Sequence, residues 1–248
     1  ENLLVLGGGP IGSELTQAFA RLGCSVTQVQ RNKRLLPKED SEVSQMVLES
    51  FQKDGINVLL QHTPKKFFKR EGKDFMECEH NGSSVEIPFD TLLIALGRKA
   101  NTTGFGLEEL GIELSSRKTI QVDEYLRTNI PNIYACGDVA GPYQFTHIAA
   151  HQAWYCAVNS MISPFWGFKI DYSTVPWSTF TDPEVARSGV NEIEAKEQGI
   201  PYEVTTYGID DLDRAISDEA AYGIVKVLTV PGKDKILGVT IAGLHAGD

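Results

Sequence analysis

The chain has 248 residues, of which 42% are hydrophobic and 23% are charged. This composition is typical of a folded globular protein and excludes an intrinsically disordered one. The formal net charge of -10 disfavours nucleic acid and anionic membrane surfaces as partners, because both are negatively charged themselves. No apolar run approaches the roughly 20 residues that cross a bilayer, so we expect no membrane partner.

The cysteines bear on the cellular compartment. Cys24, Cys78, Cys136 and Cys156 are widely spaced and form neither a CxxC pair nor a cluster with metal-ligand spacing. Scattered cysteines in a chain of this size favour reduced, buried thiols over a disulfide framework. We therefore predict a cytoplasmic protein.

The first part of the chain alternates strand and helix patterns. Residues 3–6 form the short apolar run of a buried parallel strand, and residues 11–22 repeat apolar side chains at helical spacing. Residues 26–30, 39–54 and 56–60 then predict strand, helix and strand. The pattern predicts an α/β fold that begins with a Rossmann-like nucleotide-binding domain.

The period changes after residue 60. Short alternating segments between residues 65 and 88, separated by turn residues, predict an antiparallel β-meander inserted into this domain. Residues 91–96 predict a buried strand that closes it. The remaining predicted elements are strands at 119–122 and 133–136, a helix at 146–162, an aromatic linker at 163–167 that contains Pro164, and an α+β unit with strands near 175–179, 223–229 and 236–242 and a helix at 191–198.

A glycine-rich segment, GGGPIG at residues 7–12, fits the G-x-G-x-x-G pattern between a predicted strand and a predicted helix. Gly7 permits a tight turn, Gly9 lets the backbone approach a pyrophosphate, and Gly12 lets the helix pack closely on the sheet. Phosphates bind well at a helix N-terminus, where free N–H groups and the helix dipole favour negative charge. We therefore predict a dinucleotide site here.

The end of the second predicted strand bears on the choice of nucleotide. An acidic residue at this place binds the ribose 2′-hydroxyl of NAD, whereas an arginine accommodates the 2′-phosphate of NADP. The sequence has Gln30, followed by Arg31, Lys33 and Arg34. These cations favour NADP over NAD, and the alternative is that they form only a solvated turn.

Glu14 follows the glycine-rich segment, near the start of the predicted helix. Its carboxylate can complement the positive end of the helix dipole. It can also point into a cleft close to a nicotinamide ring. The sequence leaves both interpretations open.

A second motif, TNIPNIYACGD at residues 128–138, joins a turn, a short apolar strand and a Gly-Asp pair. Ligands of open α/β sheets bind at the carboxyl ends of strands. The Asp138 carboxylate there can accept hydrogen bonds from a sugar-like chain of hydroxyls. A Gly-Asp pair that merely forms a turn is an equal alternative.

Two groups of side chains invite a metal-site interpretation. His147 and His151 stand four residues apart on a predicted helix, but the pattern supplies no third ligand. The acidic run of Asp210, Asp211 and Asp213 is more typical of a solvated loop. We therefore predict no metal site.

Taken together, the motifs resemble class I of the pyridine nucleotide-disulfide oxidoreductase family, which includes dihydrolipoamide dehydrogenase, glutathione reductase and mercuric reductase. The matching segments, in family order, are GGGPIGSE (7–14), IALGR (94–98), TNIPNIYACGD (128–138), VPWSTFTDPEVARSG (175–189), GIVK (223–226) and ILGVTIAG (236–243). The likeness covers essentially the whole chain. Residues 142–150 look most like the mercuric-reductase-type and dihydrolipoamide-dehydrogenase-type members.

The resemblance implies FAD and NADP (or NAD) as cofactors. The residues it implies for the nicotinamide nucleotide are Gly7, Gly9, Pro10, Ile11, Gly12 and Glu14, with Gln30 and Arg31 beside the adenosine ribose and Gly97 beneath the same cofactor. The residues it implies for the flavin are Asp138 at the ribityl-phosphate region and Gln144, Phe145, Thr146 and His147 at the isoalloxazine. Helix N–H groups at this last place would stabilise charge on reduced flavin.

The resemblance also implies a division into domains. Residues 1–98 would bind NAD(P), residues 99–165 would form the C-terminal part of an FAD-binding domain, and residues 171–248 would form a truncated dimerisation domain. A homodimer follows from the last of these, because the family builds its thiol site across that interface.

Two parts of the family pattern have no counterpart in this sequence. The family begins with another GxGxxG and a redox-active cysteine pair, and it ends with a His-Pro segment whose histidine is the general acid/base for the thiols. The sequence starts at the first strand of the nicotinamide domain and stops at Asp248. We therefore expect a piece of a longer enzyme, with no catalytic residue of the thiol chemistry within it.

The parent enzyme is expected to pass hydride from NAD(P)H to FAD and then to a disulfide or another acceptor. The piece alone is expected to lack disulfide reductase turnover. Two alternatives remain open, namely a non-catalytic nucleotide-binding and dimerising module and a flavin oxidase without the cysteine pair. The sequence does not define the acceptor.

Overall fold

The computed structural model describes residues 1–163 and 165–248 and divides the chain into two compact units. The first unit comprises Glu1–Gly97 and Pro176–Asp248, and the second comprises Arg98–Val175. Pro164 of the predicted linker lies outside the described residues. The division into three domains that the resemblance implies stays a prediction.

The secondary structure of the two units comprises, in chain order, β1 (Asn2–Leu6), α1 (Pro10–Arg21), β2 (Ser25–Gln30), α2 (Ser41–Lys53), β3 (Asn57–Leu60), β4 (Thr63–Arg70), β5 (Lys73–His80), β6 (Ser83–Phe89), β7 (Thr91–Ile94), a 3-10 helix (Gly137–Val139), α3 (Thr146–Ile162), β8 (Pro176–Thr179), β9 (Glu184–Gly189), α4 (Glu192–Gln198), β10 (Glu203–Gly208), a 3-10 helix (Ile209–Asp211), α5 (Asp213–Ser217), β11 (Ile224–Thr229) and β12 (Ile236–Gly243). None of the helices formed by residues 1–163 or 165–248 has both the length and the apolar character that crossing a bilayer requires.

The first unit contains a parallel sheet of order β3-β2-β1-β7. The predicted α/β fold is confirmed. Strand β1 is internal in the sheet and apolar from Leu3 to Leu6, and Leu4 and Val5 are fully buried. Helix α2 covers the sheet with Val43, Val47 and Phe51, all fully buried.

The predicted β-meander is also confirmed, as an antiparallel sheet of order β4-β5-β6. Its buried side chains Met76, Cys78 and Ile87 pack in one cluster with Leu4 and Leu6 of the parallel sheet. The meander is therefore attached to the parallel sheet through a shared apolar core.

The prediction of a buried strand at residues 91–96 is wrong in part. Strand β7 ends at Ile94, and the side chains of Ile94 and Leu96 are 65% and 67% exposed. Leu92 and Leu93 of the same strand pack against the two apolar clusters of the first unit, so the exposed part is the end of the predicted run.

The two strands predicted at residues 119–122 and 133–136 are wrong. The second unit has only isolated bridges there, Leu114 with Ile120 and Arg127 with Tyr134. The N–H of Ile120 donates to Val139, whereas the next N–H donates to Glu113, so neighbouring amides bond to different segments. A strand needs consecutive pairs with one partner. The predicted helix at 146–162 is confirmed as α3.

The cysteines depart from their predicted surroundings. Only Cys78 is buried, whereas Cys24, Cys136 and Cys156 are half-buried. Cys136 does not lie in a strand, because the predicted strand at 133–136 is not formed. The Cys156 thiol donates to the Ala135 carbonyl oxygen at 3.7 Å. Burial raises the pKa of Cys156 to about 12, and the neighbouring Cys136 thiol adds to the shift.

Residues Pro176–Asp248 of the first unit form an antiparallel sheet of order β10-β11-β12-β9-β8. The predicted strands near 175–179, 223–229 and 236–242 and the predicted helix at 191–198 are confirmed as β8, β11, β12 and α4. The sequence analysis did not identify β9, β10 or α5. Residues Pro176–Asp248 group with Glu1–Gly97 in one compact unit, and a dimerisation domain at residues 171–248 stays a prediction here.

Lys226 on β11 joins the two chain segments of the first unit. It is 1% exposed, and its ammonium lies 2.8 Å from Asp40, 2.5 Å from Glu192 and in direct contact with Glu42. These carboxylates are close enough to hold a metal ion, and the ammonium supplies the positive charge instead. Burial by itself lowers the pKa of Lys226, but the hydrogen bonds to the carboxylates outweigh it and raise the pKa.

This cluster predicts a pH dependence of stability. The hydrogen bond from Lys226 lowers the pKa of Glu192 to about 2, below the roughly 4.3 of an unfolded chain. Because the folded-state pKa is depressed, the stabilisation is present above about pH 4.3 and is lost as the pH falls towards 2. We expect Glu192→Gln to reduce the loss of unfolding free energy between pH 5 and pH 2 by about 1–2 kcal/mol, allowing for partial exposure.

The measurement is urea unfolding followed by circular dichroism at several pH values. Glu197→Gln, at an exposed position on the same helix, is the matched control. Identical pH profiles for the two variants would contradict the assignment of this stabilisation to Glu192.

Candidate nucleotide sites

The glycine-rich turn between β1 and α1 is held in shape by close backbone contacts. Gly7 has φ +111°, a conformation that favours glycine, and its N–H donates to Val29 at 2.9 Å. A Cβ on Gly7 would overlap the carbonyl oxygen of Ala95, and a Cβ on Gly12 would overlap the carbonyl oxygen of Gly7. Glycine is therefore required at both positions by the protein's own packing.

Gly9 differs from these two glycines. It is the N-cap of α1 with φ -82°, which any residue can adopt, and a Cβ built on it meets nothing within 4 Å. The packing of this chain therefore does not demand glycine at position 9. Its Cα faces open space at the start of a helix.

Helix α1 presents amides at this open side. Pro10 occupies the first helical position, where its missing N–H costs no intrahelical bond. The first intrahelical bond runs from Ser13 N–H to the Gly9 carbonyl at 2.9 Å. The N–H groups of Ile11 and Gly12 precede it, at the positive end of the helix dipole. This arrangement suits an anionic group.

Gln28 supports the turn from beneath, and sequence reasoning missed it. Its side chain is fully buried in β2 and donates to the Gly7 carbonyl at 3.0 Å and to the Ser13 hydroxyl at 3.4 Å. A glutamine between the valines of a predicted buried strand, Val26 and Val29, is a signal that could have identified it, because buried polar groups need partners.

The end of β2 brings Gln30 close to the same turn. Gln30 is 8% exposed, and its amide donates to the Arg34 carbonyl at 3.4 Å. Its Nε2 atom lies 3.0 Å from a Cβ built on Gly8. Arg31 and Lys33 follow on the surface with exposed side chains. The predicted ribose residues and the predicted pyrophosphate residues are thus neighbours.

Glu14 and Gly97 complete the predicted set in the first unit. One oxygen of the Glu14 carboxylate accepts a hydrogen bond from the Phe180 N–H at 2.9 Å, a contact that neither sequence interpretation anticipated. Gly97 has φ +120° and a Cβ on it would meet nothing within 4 Å. A role of either residue at a nicotinamide ring stays a prediction.

The residues predicted for the flavin lie together in the second unit. Arg98 connects them, since it donates to the Asp138 carboxylate at 3.1 Å and to the Gln144 carbonyl. All three line a cavity of about 720 Å³ that Arg117 and Tyr172 also border. Arg98 is part of the motif at residues 94–98, but the sequence did not predict this bridging contact.

Gln152 on α3 fixes the backbone beside Asp138. It is fully buried, accepts a hydrogen bond from Gly137 N–H at 2.5 Å, and donates to the Gly141 carbonyl and the Tyr172 hydroxyl, both at 2.7 Å. Gly137 has φ +76°, so the turn that presents Asp138 depends on glycine. Gln152 is a second residue that the sequence analysis missed.

The N-terminus of α3 carries the remaining predicted residues. Phe145 is the N-cap, and Thr146 and His147 form the first turn with exposed side chains. The Phe145 and His147 rings stack at 5.4 Å, whereas the His151 ring packs on Tyr155 at 4.9 Å. Each of the two histidines on this helix thus packs against an aromatic ring.

Comparison with protein families identifies the chain. The model described as "Pyridine nucleotide-disulphide oxidoreductase" matches residues 1–153, and the model of the dimerisation domain of the same family matches residues 175–248. The chain belongs to the pyridine nucleotide-disulphide oxidoreductase family. The resemblance predicted from the motifs is confirmed.

Individual relatives support this assignment. A dihydrolipoyl dehydrogenase of Chlamydia muridarum is 32% identical over 99% of this chain and 51% of its own length. A mercuric reductase of Bacillus cereus is 34% identical over 99% of this chain and 39% of its own length. The chain therefore spans about half or less of the length of these curated relatives.

A solved structure is similar as well. The Cu(II) complex of the HOCl-induced flavoprotein disulfide reductase RclA from Escherichia coli superposes with a TM-score of 0.87 and is 29% identical. The match covers 100% of this chain and 55% of that chain. LpdA from Mycobacterium tuberculosis also matches with a TM-score of 0.87, at 27% identity over 100% of this chain and 53% of its own.

The contrast between Gly12 and Gly9 gives a stability prediction. Gly12→Ala places a methyl group against the Gly7 carbonyl, so we expect the free energy of unfolding to fall by about 1–3 kcal/mol. Gly9→Ala meets no atom, so its stability should stay within about 0.5 kcal/mol of the wild-type value. Urea unfolding measures both. Equal losses in the two variants would contradict the packing described for this turn.

Proposed function

We propose that this chain belongs to an FAD-dependent NAD(P)H oxidoreductase that reduces a disulfide or another acceptor. In such an enzyme the nicotinamide supplies a hydride, the flavin accepts it, and the cofactors carry the redox chemistry. The residues of this chain would bind and orient the two cofactors. The family membership and the likeness to flavoprotein disulfide reductases support the proposal.

One observation carries the nucleotide part of the proposal. Gly7 and Gly12 are explained by internal packing, but Gly9 has no neighbour that would exclude a side chain. A glycine beside open space at a helix N-terminus lets another molecule approach the backbone closely. The N–H groups of Ile11 and Gly12 at that place favour a pyrophosphate. Pro10 and Glu14 flank it.

The flavin part rests on the second unit. The cavity bordered by Asp138 and Gln144 offers a carboxylate for hydroxyl groups and a backbone turn that Arg98 holds in place. The first turn of α3, with Thr146 and His147, offers helix N–H groups that would stabilise negative charge on a reduced ring. These residues fit a large, partly anionic group.

The choice between the two nicotinamide nucleotides belongs to the same proposal. Arg31 and Lys33 are exposed at the end of β2, and Gln30 carries no charge that would repel a phosphate. A guanidinium binds a phosphate through paired charge-assisted hydrogen bonds. We therefore favour NADPH over NADH.

The proposed enzyme is a homodimer, because residues 175–248 match the dimerisation domain of the family. Its proposed compartment is the cytoplasm, since the cysteines are free thiols. The terminal acceptor is left as a disulfide or another electron acceptor. Turnover is proposed for the longer protein, and this chain alone would bind nucleotide without reducing a disulfide.

The first functional prediction concerns Gly9. We expect Gly9→Ala to weaken NADPH binding roughly 10-fold or more, because a methyl group would keep a pyrophosphate from the backbone amides. Isothermal titration calorimetry with the purified chain measures the Kd. Ser83→Ala, at an exposed position on the meander, is the control. The proposal fails if the wild-type chain binds neither nucleotide.

The second functional prediction concerns Arg31. We expect Arg31→Ala to raise the Kd for NADPH roughly 10-fold and to change the Kd for NADH little, because the guanidinium would contact only the 2′-phosphate. Arg70→Ala, at an exposed arginine on the meander, is the control. Unchanged NADPH affinity in Arg31→Ala would remove Arg31 from the proposed site.

A further inference from the structure

We call Pro176–Asp248, the C-terminal segment of the first unit, the C-terminal sheet unit. We infer that residues of this segment, chiefly Lys226 and Asn191, are positioning residues that fix the loop beside the ribose of the nicotinamide nucleotide. We call residues 31–40 the ribose loop. The inference rests on the proposed function, because it concerns the loop that carries Arg31. It adds residues from the opposite end of the sequence to that site.

The ribose loop is tied to the glycine-rich turn near its middle. The N–H of Leu36 donates to the Gly8 carbonyl at 2.7 Å, and the side chains of Leu35 and Leu36 are 1% and 2% exposed. Leu36 has φ +42°, a conformation that a leucine keeps only where surrounding contacts impose it. A displacement of the loop is therefore transmitted directly to Gly8.

Asn191 holds the loop at residue 38. Its amide donates to the Lys38 carbonyl at 2.8 Å, while its side-chain oxygen accepts the Glu194 N–H at 3.0 Å as the N-cap of α4. The side chain is fully buried. One residue thus caps a helix of the C-terminal sheet unit and anchors the ribose loop.

Glu39, the next residue, is buried against the C-terminal sheet unit. Its carboxylate accepts a hydrogen bond from the Trp177 indole at 3.3 Å. The Arg187 guanidinium lies 3.1 Å away as an ion pair without hydrogen-bond geometry, and it stacks on the Trp177 ring at 4.2 Å. Arg187 in turn makes a bidentate pair with Glu194.

Asp40 is the third consecutive residue, after Lys38 and Glu39, that is bound to the C-terminal sheet unit. Its carboxylate accepts the Lys226 ammonium at 2.8 Å and lies 3.4 Å and 3.3 Å from the N–H groups of Glu192 and Ile193. Asp40 is also the N-cap residue of α2, which follows the loop. Both Asp40 and Lys226 are almost fully buried, so this link is shielded from water and salt.

These contacts fix the ribose loop on both sides of its two exposed cations. Arg31 and Lys33 follow β2 directly, the loop is attached to Gly8 at Leu36, and three consecutive residues from position 38 are attached to the C-terminal sheet unit. A guanidinium must match phosphate geometry closely, and a shift of about 1 Å weakens such contacts strongly. Lys226 and Asn191 therefore set where the cations lie without touching a nucleotide.

Two variants and one control test this inference on the purified chain. Lys226→Met removes the ammonium at similar length, and Asn191→Ser keeps a capping hydroxyl while it deletes the amide that holds Lys38. Arg21→Met is the control, because Arg21 also joins the two chain segments, through Asp182 at 2.6 Å, but away from the ribose loop. Melting temperatures are recorded for all three.

The readouts are hydrogen–deuterium exchange of residues 30–40 and the Kd values for NADPH and NADH. We expect exchange in this segment to accelerate in Lys226→Met and Asn191→Ser but not in Arg21→Met. We expect the preference for NADPH over NADH to fall roughly 10-fold in the same two variants. Lys226→Arg, which restores the positive charge, should recover part of that preference.

Two outcomes would overturn the inference. One is unchanged exchange in residues 30–40 of Lys226→Met and Asn191→Ser, and the other is the same change of nucleotide preference in Arg21→Met. A wild-type chain that binds no nucleotide is distinct from both. That result would overturn the proposed function and the role of the loop in it, whatever the exchange rates show.

Discussion

The approach of Gly12 to the carbonyl oxygen of Gly7 is the constraint on which the junction of the parallel sheet with α1 depends. It brings the first turn of α1 onto the end of β1 at a distance that a single Cβ would prevent. The tight turn points the N-terminus of α1 at the edge where the parallel strands end. Gln28 completes the turn from within the sheet, because its amide binds the same carbonyl.

Buried charge plays a different part in the first unit. Lys226 and Arg187 are withdrawn from water, which is unfavourable unless each finds carboxylates in good geometry. Asp40, Glu39 and Glu194 supply them. Such pairs contribute little net stability compared with apolar packing, but they accept few alternative arrangements. These pairs therefore determine the geometry of the contact between the C-terminal sheet unit and the ribose loop more than they determine its stability.

Much of the fold follows from local patterns. The apolar run of residues 3–6, the helical spacing of residues 11–22 and the turn residues of the meander each specify an element within a short window. The glycines at positions 7 and 12 likewise predict a turn whose geometry only glycine satisfies. These patterns are local, so a single sequence is enough to identify them.

The remaining features depend on partners distant in the sequence. The lack of a regular strand at residues 119–122 follows from where each N–H finds an acceptor. The contact of Lys226 with Asp40 spans 186 positions, and that of Glu14 with Phe180 spans 166. No local pattern encodes such pairs, which is why the contacts of Arg98 and Lys226 were not predicted from the sequence.

Pro10 has a consequence for the kinetics of ligand capture. Its ring restricts the backbone at the first position of α1, and the hydrogen bonds of Gly7 and Gln28 restrict the residues before it. At the proposed pyrophosphate site, an anion would meet the amides of a helix N-terminus whose backbone is already restricted, so that binding would require little ordering of the chain. Capture there would be governed by diffusion and orientation of the ligand, not by rearrangement of the protein.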